Sequence, residues 1–173
     1  MRPLKATINH QALLSNLDYI KKLANKSKVM SVLKANAYGH NLLDVANTLS
    51  SSDGFAVLSI SEAIQLRENN FKQTVLLLEG FFDKDEVKIA SELSINVTVH
   101  NHRQIELINQ VKPISPINIH LKINTGMNRL GFMPGEINYL LESLNSNTYI
   151  QDIVLMTHFS TADEKEGIEK QLG

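Results

Sequence analysis

Residues 55–78, FAVLSISEAIQLRENNFKQTVLLL, contain a strand, a helix and a second strand in succession. The runs Phe55–Leu58 and Val75–Leu78 are short and apolar, and the second is apolar at successive positions, which is typical of a parallel strand covered on both faces. Between them, Ser61 followed by Glu62 predicts the start of a helix, with Ser61 as a plausible N-terminal cap. A strand, a crossover helix and a parallel strand form the basic unit of α/β proteins.

The same alternation extends along the rest of the chain. Six main strands are predicted, at residues 29–34, 55–58, 75–78, 95–99, 117–123 and 153–157. An isolated strand is also predicted at residues 6–8. Helices are expected between the strands. The first has an apolar face formed by Leu13, Leu17, Ile20 and Ala24, and the second has one formed by Leu42, Val45, Ala46 and Leu49. Further helices are expected at residues 84–93, after Asn101 and at residues 135–144.

Strands and helices in this order predict a parallel α/β fold, either an open doubly wound sheet or a closed (β/α)8 barrel. No Gly-x-Gly-x-x-Gly turn follows the first main strand, which disfavours a dinucleotide-binding open sheet. A complete barrel has eight strands. The sequence therefore predicts an incomplete (β/α)8 TIM-type barrel with about six of eight strands, and residues 169–173 resemble a helix that is cut off.

Composition excludes several functional classes. Hydrophobic residues make up 43% of the chain and charged residues 20%, as in ordinary globular proteins. The net charge of −1 gives no general attraction to nucleic acid or to an anionic membrane. Cysteine is absent, so neither a disulfide framework nor thiolate chemistry is expected. Residues 1–5 lead into no apolar segment, and a cytoplasmic location is the expectation.

Three segments with chemically useful side chains each follow a predicted strand, at the end where barrel enzymes collect catalytic groups. Lys34 ends the first main strand, where a partly desolvated amine can form a Schiff base; the ordinary alternative is a lysine that extends into water. Arg129 lies in a glycine-containing loop and could bind a carboxylate or phosphate, or could simply be exposed on a turn. His158 could be a base, a stacking partner or a core residue. No spacing resembles a metal site, and Gly-x-Ser-x-Gly is absent.

Several segments together resemble one enzyme family. Residues 34–40, KANAYGH, resemble the cofactor-lysine signature of alanine racemases, and residues 122–131, KINTGMNRLG, resemble the carboxylate-binding loop of the same family. The order and spacing of the similar segments hold from about Lys5 to Gln171. Further segments that resemble the family are Thr157–Phe159 and Ala162–Glu164 and, less specifically, Glu62–Ala63, Leu66–Arg67 and Leu77–Gly80.

The resemblance implies a fold-type III enzyme with pyridoxal 5′-phosphate as cofactor, which interconverts L-alanine and D-alanine and supplies D-alanine for peptidoglycan. It implies a barrel followed by a C-terminal β domain, in a head-to-tail homodimer. Residues 1–173 would be the N-terminal part of the barrel domain, without the β domain, and would be inactive alone. A tyrosine that acts as second base, an arginine facing the pyridine nitrogen and most phosphate contacts would lie beyond Gly173.

The resemblance also implies roles for five residues. Lys34 would bind the cofactor covalently and act as the base on one face of the substrate, and Tyr38 would give its hydroxyl to the cofactor phosphate. Arg129 would lie near the cofactor's phenolic oxygen and the substrate carboxylate, and His158 would lie against the pyridine ring. Lys122 would be carbamylated and would orient Arg129.

Two positions leave alternatives open. Lys122 and Arg129 would repel each other in a partly dry site, so Lys122 is either carbamylated or turned outward to water. Asn124 stands where an aspartate is common in the family, which puts a charged role there in doubt.

Two other functions also share the barrel: a non-catalytic carrier of pyridoxal phosphate, which Arg129 argues against, and an amino-acid decarboxylase, whose lysine lies in a different local sequence.

Overall fold

The computed structural model describes residues 5–165 and 167–172. The described strands are β1 (Met30–Val32), β2 (Gly54–Val57), β3 (Thr74–Leu77), β4 (Asn96–Val99), β5 (Ile117–Lys122) and β6 (Ile150–Met156). The described helices are α1 (His10–Ala24), α2 (Lys34–Tyr38), α3 (Leu42–Thr48), α4 (Ile60–Glu68), α5 (Lys84–Glu92), α6 (His102–Val111), α7 (Ile137–Asn145) and α8 (Glu169–Leu172), with a 3-10 turn at Pro134–Glu136.

The six strands belong to one sheet and follow each other in it in sequence order. The pairs β1/β2, β4/β5 and β5/β6 are parallel. Helices alternate with the strands, as a parallel sheet requires, because each connection must return to the same end of the sheet. The predicted α/β fold with six strands is therefore confirmed.

The chain divides into two compact units, Met1–Leu76 and Leu77–Gly173. In the first unit every residue of β2 is buried, and Phe55 meets Phe71 edge to face with ring centroids 5.7 Å apart. The residues of α3 predicted to face inward are buried there as well. In the second unit the core residues come from both strands and helices, and include Val97, Val99, Ile119, Leu121, Val87, Ala90, Ile108, Leu140 and Leu144.

Some details of the prediction are wrong. Residues 6–8 form no strand, and β1 ends at Val32, two residues before the predicted end. Helix α4 begins at Ile60, so Ser59 rather than Ser61 is its cap: the Ser59 hydroxyl accepts from the Glu62 N–H and the Glu62 carboxylate accepts from the Ser59 N–H. In α1, Leu17 is buried but Ile20, predicted to face inward, is 51% exposed.

The last predicted helix is present as α8, and Gly173 lies outside the described residues. Among the described residues, no helix is long and apolar enough to cross a membrane.

Candidate active site

The segment that follows β1 is a left-handed helical turn. Residues 35–38 have φ between 52° and 55°, and Gly39 follows with φ 85°. L-amino acids avoid this conformation because Cβ approaches the following carbonyl oxygen, at a cost of roughly 1–2 kcal/mol per residue. Four consecutive non-glycine residues in it are therefore strained, and backbone strain of this kind persists only where surrounding contacts impose it.

Hydrogen bonds from both within and outside the turn hold it in place. Within it, the Ala37 N–H donates to the Leu33 carbonyl at 2.8 Å. From outside, a carboxylate oxygen of Glu62 accepts from the Asn36 N–H at 2.8 Å. The Asn36 side-chain oxygen in turn accepts from the Leu42 N–H at 2.8 Å, at the start of α3. The turn is thus tied to both helices that flank β2.

The turn brings together two of the sequence-predicted residues. Lys34 and Tyr38 are four residues apart, and the Lys34 amine lies 5.9 Å from the centre of the Tyr38 ring. Lys34 is half-buried, whereas Tyr38 is 60% exposed. The carboxyl end of β1 therefore presents an amine next to an accessible phenol.

Glycine at position 35 should stabilise the protein. Ala35 is exposed and left-handed, so Ala35→Gly relieves roughly 1–2 kcal/mol of strain against a chain-entropy cost of about 0.5–1 kcal/mol. We expect the free energy of unfolding to rise by up to about 1.5 kcal/mol in denaturant titration. The control Ala12→Gly, in the first turn of right-handed α1, should lower it by up to about 1 kcal/mol. A loss of stability in Ala35→Gly as large as in Ala12→Gly would contradict the left-handed assignment.

In the second unit, Lys122 is the last residue of β5. Strand alternation puts Asn118, His120 and Lys122 on one face, opposite the buried Ile119 and Leu121. Lys122 is only 5% exposed, so the alternative of a lysine turned outward to water is wrong. Burial, and to a lesser degree the positive charge of Arg129, lower the pKa of Lys122. The charge of Arg129 therefore acts on Lys122 in the direction expected for two like charges.

The loop after β5 is closed at its base and holds Arg129 near its exposed end. Asn124 N–H donates to the Phe132 carbonyl at 2.8 Å, and the Phe132 N–H donates to the Lys122 carbonyl at 2.9 Å. Gly131 (φ 122°) is required at this closure, because a Cβ there would lie 2.8 Å from the Asn124 nitrogen.

Asn124 organises the interior of the same loop. Its side-chain oxygen accepts from the N–H groups of Gly126 and Asn128 at 3.1 and 2.9 Å, and its amide nitrogen donates to the Asn128 side-chain oxygen at 3.0 Å. An aspartate could accept the first two bonds but could not donate the third. Asn124 therefore shapes the loop, through a contact with Asn128 that an aspartate could not make in the same way.

His158 follows β6 by two residues and is exposed. Its carbonyl accepts from the Gln171 side chain at 3.1 Å, and the same amide nitrogen donates to the carbonyl and the hydroxyl of Thr125 at 3.0 and 3.1 Å. The Gln171 oxygen accepts from the Ser160 N–H at 2.7 Å. Gln171 thus joins the loop of Arg129 to the segment of His158.

Comparison with known proteins decides the family. Residues 8–173 match the family described as "Alanine racemase, N-terminal domain". The chain belongs to this alanine racemase family. Curated alanine racemases from Nitrosomonas europaea and Nitrosospira multiformis are 45% and 44% identical to it, over 99% and 95% of the chain and 48% and 46% of their own length. The chain thus spans about half the length of the curated relatives it matches.

Solved structures of alanine racemases support the same family assignment. The biosynthetic alanine racemase from Pseudomonas aeruginosa superposes with a TM-score of 0.94 at 35% identity, over 99% of this chain and 49% of its own. The alanine racemase from Acinetobacter baumannii gives a TM-score of 0.85 at 38% identity, over 95% of this chain and 49% of its own. The resemblance to alanine racemases is therefore confirmed, while the roles of individual residues stay predictions.

The residues of this family member suit pyridoxal phosphate, which needs an amine for its aldehyde and hydrogen-bond donors for its phosphate. Lys34 and Tyr38 provide an amine and a phenol side by side, and the large exposed fraction of Tyr38 keeps its ring accessible. The donor set at the end of β1 therefore fits the cofactor.

Sequence reasoning missed the structural roles of the residues that shape these segments. Asn36, Asn124 and Gln171 hold the loops through side-chain amides, and Glu62 holds the turn from another helix. Asparagine followed by glycine within residues 36–39 is a weak signal for left-handed backbone, because both types tolerate it. Gln171 gives no local signal, because its partners lie up to 46 residues away.

Proposed function

We propose that this chain takes part in the pyridoxal-phosphate-dependent interconversion of L-alanine and D-alanine, as the N-terminal part of the barrel domain of an alanine racemase. The observation that carries the proposal is the left-handed turn that sets the Lys34 amine beside Tyr38 at the end of β1, in a chain of the alanine racemase family. A supply of D-alanine for peptidoglycan and a cytoplasmic homodimer belong to the same proposal, by analogy with the family.

The proposal assigns a role to each of the candidate site residues. When bound, pyridoxal phosphate supplies an electron sink that makes the Cα–H bond of an amino acid acidic. The Lys34 amine would hold the cofactor and would move the Cα proton on one face, and the Tyr38 hydroxyl would donate to the phosphate. Arg129 would bind the substrate carboxylate through its two-pronged guanidinium and would help to hold the cofactor at its phenolic oxygen. His158 would help to hold the pyridine ring.

Racemisation needs an acid or base on each face of the Cα carbon, and Lys34 serves only one of them. The second base in this proposal is a tyrosine of the full-length racemase, supplied by the partner subunit.

Deuterium exchange separates this function from its alternatives. The longest natural form of the protein, supplied with pyridoxal phosphate and L-alanine in D2O, should form D-alanine and incorporate deuterium at Cα, as measured by chiral chromatography and mass spectrometry. Cofactor binding without Cα exchange would indicate the carrier function instead. Release of CO2 and an amine would indicate a decarboxylase.

Lys122 is proposed to be carbamylated, because only a neutral amine adds CO2 and the lowered pKa of Lys122 favours that form. The added CO2 replaces a cation by an anion, which pairs with Arg129 and preorganises it. In the longest natural form, Lys122→Ala should lower kcat/KM roughly 10- to 100-fold, and acetate should restore part of it. Lys84→Ala, which removes an exposed lysine of the same unit, should leave kcat/KM unchanged.

Carbamylation has a direct signature. After incubation with 13C-bicarbonate, a carbamate resonance should appear in the 13C spectrum and vanish in Lys122→Ala. Its absence in an active protein, together with an unimpaired Lys122→Ala variant, would remove carbamylation from the mechanism.

A further inference from the structure

The left-handed turn poses a physical problem that the proposed function does not answer. Four strained residues connect Lys34 to Gly39, and an unsupported segment of this sequence would favour right-handed backbone. Something outside the turn must therefore determine its handedness, and with it the placement of the Lys34 amine relative to Tyr38.

One carboxylate reaches the middle of the turn from elsewhere in the chain. Glu62 lies 26 residues after Asn36, in the first turn of α4, and one of its oxygens accepts from the Asn36 N–H at 2.8 Å. Its other oxygen accepts from the N–H groups of Leu58 and Ser59 at 3.1 and 3.2 Å. The half-buried carboxylate therefore connects the turn after β1 with the end of β2.

The carboxylate is charged at neutral pH. Burial acts to raise the pKa of Glu62, but the N–H donors of Asn36, Leu58 and Ser59 together outweigh burial, so the pKa lies below its ordinary value. Hydrogen bonds to a charged acceptor are stronger than neutral ones, and the first N–H groups of a helical turn have no acceptor within the turn. Glu62 thus supplies the acceptor that the strained segment lacks.

We propose that Glu62 is the positioning residue of the cofactor lysine: through the Asn36 amide it fixes the left-handed turn in which Lys34 and Tyr38 face the same side. The consequence of this assignment for cofactor binding at Lys34 rests on the proposed function. The hydrogen bond between Glu62 and Asn36 does not depend on that function. Glu62 acts through Asn36 and needs no contact with substrate or cofactor.

The test must separate this role from the capping of α4, which Glu62 also performs. Ser59→Ala is the matched control, because it removes the hydroxyl that accepts from the Glu62 N–H and also hydrogen-bonds the Glu62 side chain, but keeps the Glu62 carboxylate itself, which can still accept from the Asn36 N–H. Glu62→Ala removes both functions, and Glu62→Gln keeps one oxygen that can accept from Asn36. All three variants are made in the longest natural form of the protein.

The first readout is hydrogen exchange at the Asn36 amide, which reports local opening of the turn. Glu62→Ala should raise its exchange rate about tenfold or more, because it removes a hydrogen bond to a charged group. Glu62→Gln should raise it less, and Ser59→Ala should leave it within about twofold of the unmodified protein. An unchanged rate in Glu62→Ala, or an equal rise in Ser59→Ala, would overturn the assignment.

The second readout is the rate at which pyridoxal phosphate is trapped on Lys34 by borohydride, followed by mass spectrometry. Glu62→Ala should slow trapping about tenfold, with Ser59→Ala close to the unmodified protein. Trapping at the unmodified rate in a Glu62→Ala variant whose Asn36 amide exchanges freely would show that the turn does not position Lys34. If the unmodified protein traps nothing on Lys34, the proposed function fails, and Asn36 exchange alone still decides whether Glu62 holds the turn.

Discussion

Lys34→Ala is expected to abolish both covalent binding of pyridoxal phosphate and all racemisation. Lys34 is the lysine that follows β1, within residues 34–40 that resemble the family's cofactor signature, and no other group can replace an amine that both binds the cofactor and moves the Cα proton. The absorbance of the bound cofactor should disappear, and alanine racemisation should fall below detection in the longest natural form of the protein.

Lys28→Ala is the matched control, because Lys28 is exposed and precedes the opposite end of the same strand. It should keep cofactor binding and turnover. Borohydride reduction followed by peptide mapping should place the cofactor on Lys34. A modified lysine elsewhere, with Lys34 unmodified, would refute the assignment.

Residues 1–173 expressed alone are expected to be inactive and to aggregate. Among the described strands, β1 and β6 end the sheet, and apolar side chains on them are exposed: 43% for Val32, 48% for Val154 and 53% for Leu155. Unpaired strand edges and exposed apolar surface promote association between chains. Size-exclusion chromatography should show aggregates, and thermal unfolding followed by circular dichroism should lack a single cooperative transition.

A soluble monomer of residues 1–173 that unfolds cooperatively and racemises alanine would contradict this expectation. The control is the longest natural form measured under the same conditions, in which the two edges are expected to be covered.

The order of strands and helices could be predicted from the sequence because burial on both faces leaves a simple pattern. Phe55–Leu58 and Val75–Leu78 are apolar throughout, and the residues chosen as site candidates follow predicted strands because strand ends are marked by polar residues. These features are local, so a single sequence carries them.

The handedness of the turn after β1 and the burial of individual polar residues are not determined by the local sequence alone. Residues 34–38 contain two alanines and a lysine, which favour a right-handed helix, and contacts of Asn36 with Glu62 on α4 and with Leu42 at the start of α3 oppose that preference. Likewise Asn118, His120 and Lys122 alternate with apolar residues as on a strand with one wet face, yet Lys122 is buried. Long-range packing decides both cases.

The left-handed turn also has a consequence for the order of folding. Residues 35–38 gain the Glu62 acceptor only when α4, which follows β2 in the chain, has come into contact with them. Closing this 26-residue separation must precede the strained geometry that it stabilises. We therefore expect Lys34 and Tyr38 to come together late in folding. A nascent or misfolded chain would then carry the Lys34 amine without the Tyr38 side chain beside it.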